Sequence, residues 1–393
     1  MSDDLGLSSL EAPELQQVVT PWQVEGKINY NKLIDQFGSQ QITPELISRL
    51  EAVTGKPAHP WLRRKIFFSH RDLHRVLDVV ESGKKFYIYT GRGPSSESLH
   101  LGHMVPFMFT KYLQEVFGAP LVVQMSDDEK YYFKPNLGLD EARRLTDENA
   151  KDIIAVGFDP KKTFIFSNMD YIGKTYRTVM KIDKFFRGKD IKAIYGLDSK
   201  SNIGMLGWPS KQIAPAFSES FGWMLDKNMP CLVPMAIDQD PYFRQSRDFA
   251  EHEKLVKPAV IHSVFFPGLT GAGGKMSSTG EEASIFLTDT PDQISEKIRK
   301  YAFSGGRDTL KEHREKGANL DVDVSYQYLQ FFEMDDDKLE KIKIAYGTGQ
   351  MTTGEIKKIL IEVLVRFTND HQTRRASVTE ENLNTFFEEK KLI

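Results

Sequence analysis

Residues 86–125 read FYIYTGRGPSSESLHLGHMVPFMFTKYLQEVFGAPLVVQM. The opening Phe86-Tyr-Ile-Tyr-Thr90 is aromatic and β-branched, which favours a strand. Gly91 to Glu97 is rich in Gly, Pro and Ser and marks a loop. Within Met104 to Phe117, Val105, Phe109, Leu113 and Val116 recur at helical spacing, and Gly118-Ala119-Pro120 ends that helix. Leu121 to Met125 follows as a short apolar run, a buried strand. Strand, crossover helix and strand together predict a βαβ unit and hence a parallel sheet.

Outward from this unit the alternation continues, with a helix over 140–156 stopped at Gly157 and strands over 163–166, 231–237 and 259–264. The expected fold is α/β, a Rossmann-like doubly wound parallel sheet. Before it, residues up to about 58 mix a short polar lead, a segment over 18–33 containing Thr20-Pro21-Trp22, and a helix from Pro44 to Val53; Gly55-Lys56-Pro57 then breaks the chain. After Thr290-Pro291 the strands stop, and helices are predicted over 293–303, 322–332, 338–346, 353–376 and 380–389. The expected division is an N-terminal extension over 1–60, the α/β domain over 61–290 and an α-helical C-terminal domain over 291–393.

The chain of 393 residues is 40% hydrophobic and 27% charged, as in a soluble globular protein of sizeable core. Asp and Glu number 55 against 52 Lys and Arg, so a uniformly basic nucleic-acid coat is excluded and any nucleic-acid partner must meet a local patch. Cys231 stands alone, so it can form no internal disulfide and no Cys-rich zinc site; a buried filler in a reducing compartment is expected. No apolar run reaches the ~18 residues of a membrane span, and Met1 to Gln17 lacks a basic segment before an apolar one. No membrane association is expected, and cytoplasmic location is the default.

Two stretches carry chemistry. In Thr90 to His103, a glycine-rich turn at a strand's end lets backbone approach a nucleotide, while the following helix N-terminus offers free N–H groups to phosphate. His100 and His103 share one helix face, and Gly102 between them leaves room for a flat purine. In Gly271 to Thr279, a glycine run precedes Lys275-Met276-Ser277-Ser278-Thr279; such a loop can close over a triphosphate and stabilise the charge that builds as pyrophosphate leaves. It is not a Walker A loop, because the Gly-x4-Gly-Lys-Ser/Thr spacing is missing.

Taken together, His100-Leu101-Gly102-His103 and Lys275-Met276-Ser277-Ser278 resemble the HIGH and KMSKS signatures of the class I aminoacyl-tRNA synthetases, in that order. Ser278 stands where many members carry lysine. Tyr89-Thr-Gly-Arg-Gly-Pro-Ser-Ser-Glu97, Gln124-Met-Ser-Asp-Asp-Glu-Lys130, Ala236-Ile-Asp-Gln-Asp-Pro-Tyr-Phe-Arg244 and Ala302-Phe-Ser-Gly-Gly-Arg-Asp308 are similar to the eukaryotic cytoplasmic-type tryptophanyl members, from about Val18 onward. Thr20-Pro21-Trp22 is similar to a segment that forms an N-terminal hairpin near their active site. The helix-turn-helix appendage that some members add before it is not expected here.

This resemblance implies ATP-dependent activation of L-tryptophan and its transfer to tRNA(Trp). It assigns ATP to Thr90, Gly91, Arg92, His100, Gly102, His103, Lys275, Met276, Ser277 and Ser278, with His100, His103, Lys275 and Ser277 catalytic. Mg²⁺ is expected mainly on phosphate oxygens, with no protein metal site. Tryptophan is assigned to Tyr89 and Gln124 at the indole, which can each accept from its N–H, and to Glu129, Gln212 and Gln239 at the amino-acid end. Arg307 and Asp308 match positions that touch the anticodon, the alternative being a helix-terminal ion pair; Lys184, Arg187, Lys189 and Arg374-Arg375 are candidates for phosphate contacts. A homodimer is implied. Rival readings are a tyrosyl-specific relative, against which Asp238-Gln239-Asp240-Pro241 and the 90–94 loop argue, a small-molecule adenylyltransferase, and a non-catalytic RNA-binding relative.

Overall fold

The computed structural model describes residues 28–271 and 281–392, together with the backbone at 18–19 and 24–25. Thr20-Pro21-Trp22 and the assigned Lys275, Met276, Ser277 and Ser278 lie outside the described residues. Strand β1 (Val18–Val19) pairs antiparallel with β2 (Val24–Glu25). The remaining strands are β3 (Gln40–Gln41), β4 (Phe67–Arg71), β5 (Tyr87–Arg92), β6 (Leu121–Met125), β7 (Thr163–Ser167), β8 (Cys231–Ala236) and β9 (Ala259–Ser263). They form one sheet of order β3-β4-β9-β8-β5-β6-β7.

From β9 to β7 all neighbours are parallel, and these are the strands predicted from sequence. Strands β6, β7 and β9 are buried along their whole length, as expected where helices cover both faces. The departure is at one edge. There β4 runs antiparallel to β9 and β3 antiparallel to β4, so the sheet is mixed. Neither strand announces itself: Gln40–Gln41 is polar and exposed, and β4, Phe67-Phe-Ser-His-Arg71, turns polar after two residues, so pairing with β9 is what makes it a strand.

Alternation along β5 divides the core. Phe86 and Ile88 face an apolar cluster with Leu101, Phe109 and Leu121, whereas Tyr87 and Tyr89 face another with Val122, Phe166 and Phe243. The helix after β5 spans Leu101–Phe117 and starts three residues before the predicted Met104, because His100, in extended conformation, takes the N-cap position.

The predicted C-terminal helices are present as Pro291–Tyr301, Val324–Phe332, Asp336–Gly347, Thr353–Ala376 and Glu380–Phe387, with a further short helix Leu310–Lys316. They share the first apolar cluster with the sheet, since Phe331, Leu360 and Phe386 are buried in continuity with Phe67 and Phe109. The rings of Phe67 and Phe109 stack at 3.6 Å between centroids, each burial contributing roughly 1.5–3 kcal/mol. Trp61 Nε1 donates to Phe331 O at 2.9 Å, which pins the chain before β4 to the helical region. No helix among the described residues is long and apolar enough to cross a membrane.

Candidate active site

Strand β5 lies between β8 and β6, and the winding direction reverses there, so the loops leaving β5 and β8 diverge and open a crevice. The cleft at this point measures about 440 Å³. It is lined by Tyr89, Thr90, Gly91, Arg92, His100, Gly102, His103, Gln124, Glu129, Gln212 and Gln239. All the ATP and tryptophan candidates that are described therefore converge on one concavity, from β5, β6, the helices Leu101–Phe117, Asp127–Phe133 and Ile203–Ile213, and the short turn Ile237–Gln239.

On the nucleotide side, the rings of His100 and His103 stack at 3.4 Å with 21° between planes, and His100 N donates to His103 Nδ1 at 3.4 Å. A Cβ on Gly102 would come within 3.2 Å of the His100 ring, so glycine keeps this surface open. Burial, reinforced by the nearby Arg92 charge, pushes the His100 imidazole down to about 3. At neutral pH it is an uncharged hydrogen-bonding and stacking group rather than an acid. The Arg92 Nε donates to Asn149 Oδ1 at 3.1 Å, while its Nη2 is buried without a hydrogen-bond partner among the described residues. Burial lowers this guanidinium to about 10 against the opposing pull of Glu129 and Asp152. A desolvated cation with an unmatched N–H is suited to an anionic ligand.

The Gly93 position explains how the 91–97 loop lies so close to the next helix: a Cβ there would stand 2.1 Å from Lys130 Cε. Lys130 donates to Glu129 Oε1 at 2.8 Å, and Ser126 Oγ donates to Glu129 Oε2 at 2.9 Å. The carboxylate assigned to a substrate ammonium is thus already oriented, and Lys130, which the sequence reading did not single out, shares it.

On the opposite side, Tyr89 OH reaches Gln124 Oε1 at 2.7 Å and Gln212 O at 2.6 Å. The Gln124 amide nitrogen donates to Asn168 Oδ1 and Lys211 O, both at 2.9 Å, so the carbonyl end of the amide faces Tyr89. Burial keeps the Tyr89 phenol far above its ordinary range. Gln212 Nε2 donates to Gln239 Oε1 at 3.4 Å, and Gln239 Nε2 to Asp238 Oδ2 at 3.3 Å, forming a chain of amides across the cleft. Trp208, Tyr242, Phe243 and Val233 supply apolar wall. Sequence reasoning missed these because nothing in their spacing links them; they meet only when the sheet closes.

Asp240 anchors this wall from behind. Arg71 Nε and Nη2 grip its two oxygens at 2.7 and 2.8 Å, and His262 Nε2 lies 3.0 Å from Asp240 Oδ1 while its Nδ1 lies 2.9 Å from Ser69 Oγ. Burial would raise the Asp240 carboxyl, but the hydrogen bonds from Arg71 and His262 outweigh it and hold it at about 2.

Arg307 and Asp308 do not line the cleft; both are exposed. Arg307 Nε donates to Gly317 O at 3.0 Å, and no ion pair joins it to Asp308 among the described residues. The turn carrying them is held by Asp323 Oδ2, which accepts from Gly305 N at 2.9 Å and from Tyr346 OH at 2.7 Å. The pair Arg374-Arg375, a candidate for phosphate contacts, instead turns inward: Arg374 Nε donates to Ala155 O and Arg375 Nη2 to Glu148 Oε2.

Residues 81–369 match the family model of class I tRNA synthetases (W and Y). The chain is 53% identical to the cytoplasmic tryptophan–tRNA ligase of Bos taurus, over 98% of this chain and 83% of that protein. Among solved structures it is similar to tryptophanyl-tRNA synthetase of Plasmodium falciparum, at 54% identity and a TM-score of 0.88, covering 93% of this chain and 96% of the other. It is also similar to the Encephalitozoon cuniculi tryptophanyl-tRNA synthetase bound to tryptophan, at 42% identity and a TM-score of 0.86, covering 93% and 99%.

Proposed function

This chain belongs to the class I tRNA synthetases of the tryptophan and tyrosine group, and we propose from that premise that its cleft activates L-tryptophan with ATP before transfer to tRNA(Trp). The activity is that of a tryptophan–tRNA ligase. The observation that carries the specificity is the Tyr89–Gln124 pair: two neutral side chains that can accept a hydrogen bond from a donor-only indole, set between apolar walls.

In the first step the tryptophan carboxylate attacks the α-phosphorus of ATP in line, a phosphorus–oxygen bond forms, and the bond to the leaving pyrophosphate breaks. No protein nucleophile is needed, so positioning and charge stabilisation supply the rate. Gln212 and Gln239 orient the amino-acid end, with Glu129 as counter-charge to the ammonium. Neutral His100, together with His103, open Gly102 and the backbone of Thr90 and Gly91, receives the nucleotide, and the Arg92 N–H meets its anionic part. Lys275, with Met276, Ser277 and Ser278, is assigned to the phosphates by the resemblance, and there its ammonium balances charge on the departing pyrophosphate. Mg²⁺ bound with ATP would be held mainly by phosphate oxygens and would supply charge neutralisation. Among the described residues no cluster of three or more His, Cys, Asp or Glu side chains is placed to hold a metal ion, which suits an ion carried by the phosphates. In the second step a hydroxyl of the terminal tRNA adenosine takes the acyl group.

On this reading the chain divides into 61–290 as the catalytic domain, 291–393 as the anticodon-binding region, where Arg307 and Asp308 present an exposed donor and acceptor, and 1–60 as the N-terminal extension, of which Gln40–Gln41 joins the sheet. A homodimer is inferred: Tyr176 and Met180, one turn apart on the helix Asn168–Phe185, are each 54% exposed, and Trp223 on a segment packed against that helix is 58% exposed. Sedimentation velocity tests it, a single-chain mass counting against the dimer. Pyrophosphate exchange with each amino acid tests the function. Tryptophan should drive exchange best; preference for tyrosine would support the tyrosyl reading, and no exchange with any amino acid the non-catalytic one.

A further inference from the structure

The turn that delivers His100 is braced from two sides by one distant helix. Leu99 N donates to Asp152 Oδ2 at 3.3 Å. Asp152, on the helix Leu139–Ala155, is fully buried and carries on its other oxygen His371 Nε2 at 3.1 Å and Arg375 Nε at 2.8 Å. His371 is fully buried as well and lies 219 residues away in sequence, on the helix Thr353–Ala376. The other flank of the same turn is laced to residues 285–287, Leu101 N donating to Ile285 O at 3.0 Å and Leu287 N to Leu99 O at 2.9 Å. That strip is in turn held by Gln372, whose amide donates to Leu287 O at 2.8 Å and Asp289 O at 3.0 Å. One helical turn earlier than Asp152, Asn149 grips Arg92 Nε and Ser96 O.

We propose that Asp152, His371 and Arg375 are positioning residues for ATP: they set the place of Leu99 and thereby of His100. None of them lines the cleft. Two buried groups held this far apart in sequence cost conformational freedom and desolvation, and the partner of the Leu99 N–H is what they determine. The tryptophan side of the cleft, Tyr89 with Gln124, is tied to Asn168, Lys211 and Gln212 instead, so displacement of the His100 turn should move ATP and leave tryptophan in place. The proposal rests on the nucleotide role given above to the His100 loop.

The test compares His371→Phe, which keeps a ring but removes the donor to Asp152, with His371→Gln, which can present an Nε2–H at similar reach. In the full chain, His371→Phe should speed deuterium uptake in a peptide covering residues 95–104. It should also raise the KM for ATP in tryptophan-dependent pyrophosphate exchange by about 10-fold or more, with the KM for tryptophan unchanged; His371→Gln should restore both. If His371→Phe does not fold, Arg375→Met, which trims a partly exposed cation on the same carboxylate, should show the same changes in smaller degree. Uptake and ATP KM equal to wild type in a folded variant, or ATP and tryptophan KM rising together, overturns the proposal. Absence of exchange in the wild-type enzyme would overturn the functional reading instead, and the deuterium result would still decide whether this cluster holds Leu99.

Discussion

The phenol of Tyr89 has one proton and two acceptors within reach, Gln124 Oε1 at 2.7 Å and Gln212 O at 2.6 Å. When the proton goes to Gln212 O, the Gln124 carbonyl is released to accept from a ligand while the phenol oxygen keeps its lone pairs. Because the Gln124 amide nitrogen is committed to Asn168 and Lys211, the amide cannot turn its donor end into the cleft without losing two hydrogen bonds. With that proton on Gln212 O, the pair would offer two acceptors to an indole N–H and no donor to the lone pairs of a phenol oxygen.

Removing that contact should therefore show in choice of amino acid. Gln124→Ala and Tyr89→Phe should each lower kcat/KM for tryptophan in pyrophosphate exchange by the equivalent of about 1–3 kcal/mol. Gln124→Ala should also narrow the preference over tyrosine. A wild-type ratio retained by Gln124→Ala would show that another group reads the indole.

The single cation of the glycine-rich 271–279 segment carries a second expectation. Lys275→Ala should slow single-turnover adenylate formation by roughly 10²–10³, with tryptophan binding in the absence of ATP nearly intact. Quenched-flow measurement decides it, and an unchanged rate removes Lys275 from the mechanism.

Acid should destabilise the fold in two stages. Burial holds His59, His70 and His100 at about 4, 4 and 3, below their ordinary value of 6.5. Between that value and those, the unfolded chain binds more protons, so stability falls as pH drops, by about 1.4 kcal/mol per unit for each histidine. Asp240, held at about 2 against an ordinary 3.8, adds stability that is present above pH 4 and lost as pH falls toward 2. Urea unfolding at pH 7, 5 and 3 checks the trend. Asp240→Asn should cost about 3–5 kcal/mol at pH 7, because it leaves the Arg71 charge buried beside a neutral group; a stability equal to wild type would show that Arg71 finds another partner.

The exposed Arg307 and Asp308 should matter for tRNA and not for activation. Arg307→Ala and Asp308→Ala should leave tryptophan-dependent exchange near wild type and weaken aminoacylation by about 1–3 kcal/mol if either reads a base edge, less on a tRNA whose anticodon is already changed. A phosphate contact would weaken all tRNAs alike and reduce the salt dependence by about one ion. Normal charging of cognate tRNA by both variants would rule out the anticodon contacts.

What the sequence determined by itself is what is encoded locally. The run 86–125 states its strand, glycine-rich turn, helix and strand in consecutive residues, and each step depends on neighbours within a few positions. The parallel centre of the sheet and the long C-terminal helices followed from that order, whereas Tyr89, Gln124 and Glu129 were joined to one site by resemblance of their motifs to a known family. The tertiary structure alone decided the rest. Strand β4 takes its place by antiparallel pairing with β9 and β3 by antiparallel pairing with β4, and Gln40–Gln41 has no apolar pattern to betray it. Trp208 and Tyr242 became cleft wall when helices separated in sequence closed over β5 and β8. Arg374 and Arg375 read as surface charge, yet they bind Ala155 O and the Glu148–Asp152 carboxylates. The reason is common to all of these: a hydrogen bond or ion pair between distant residues depends on where both chains are carried in space, and no local periodicity encodes its partner.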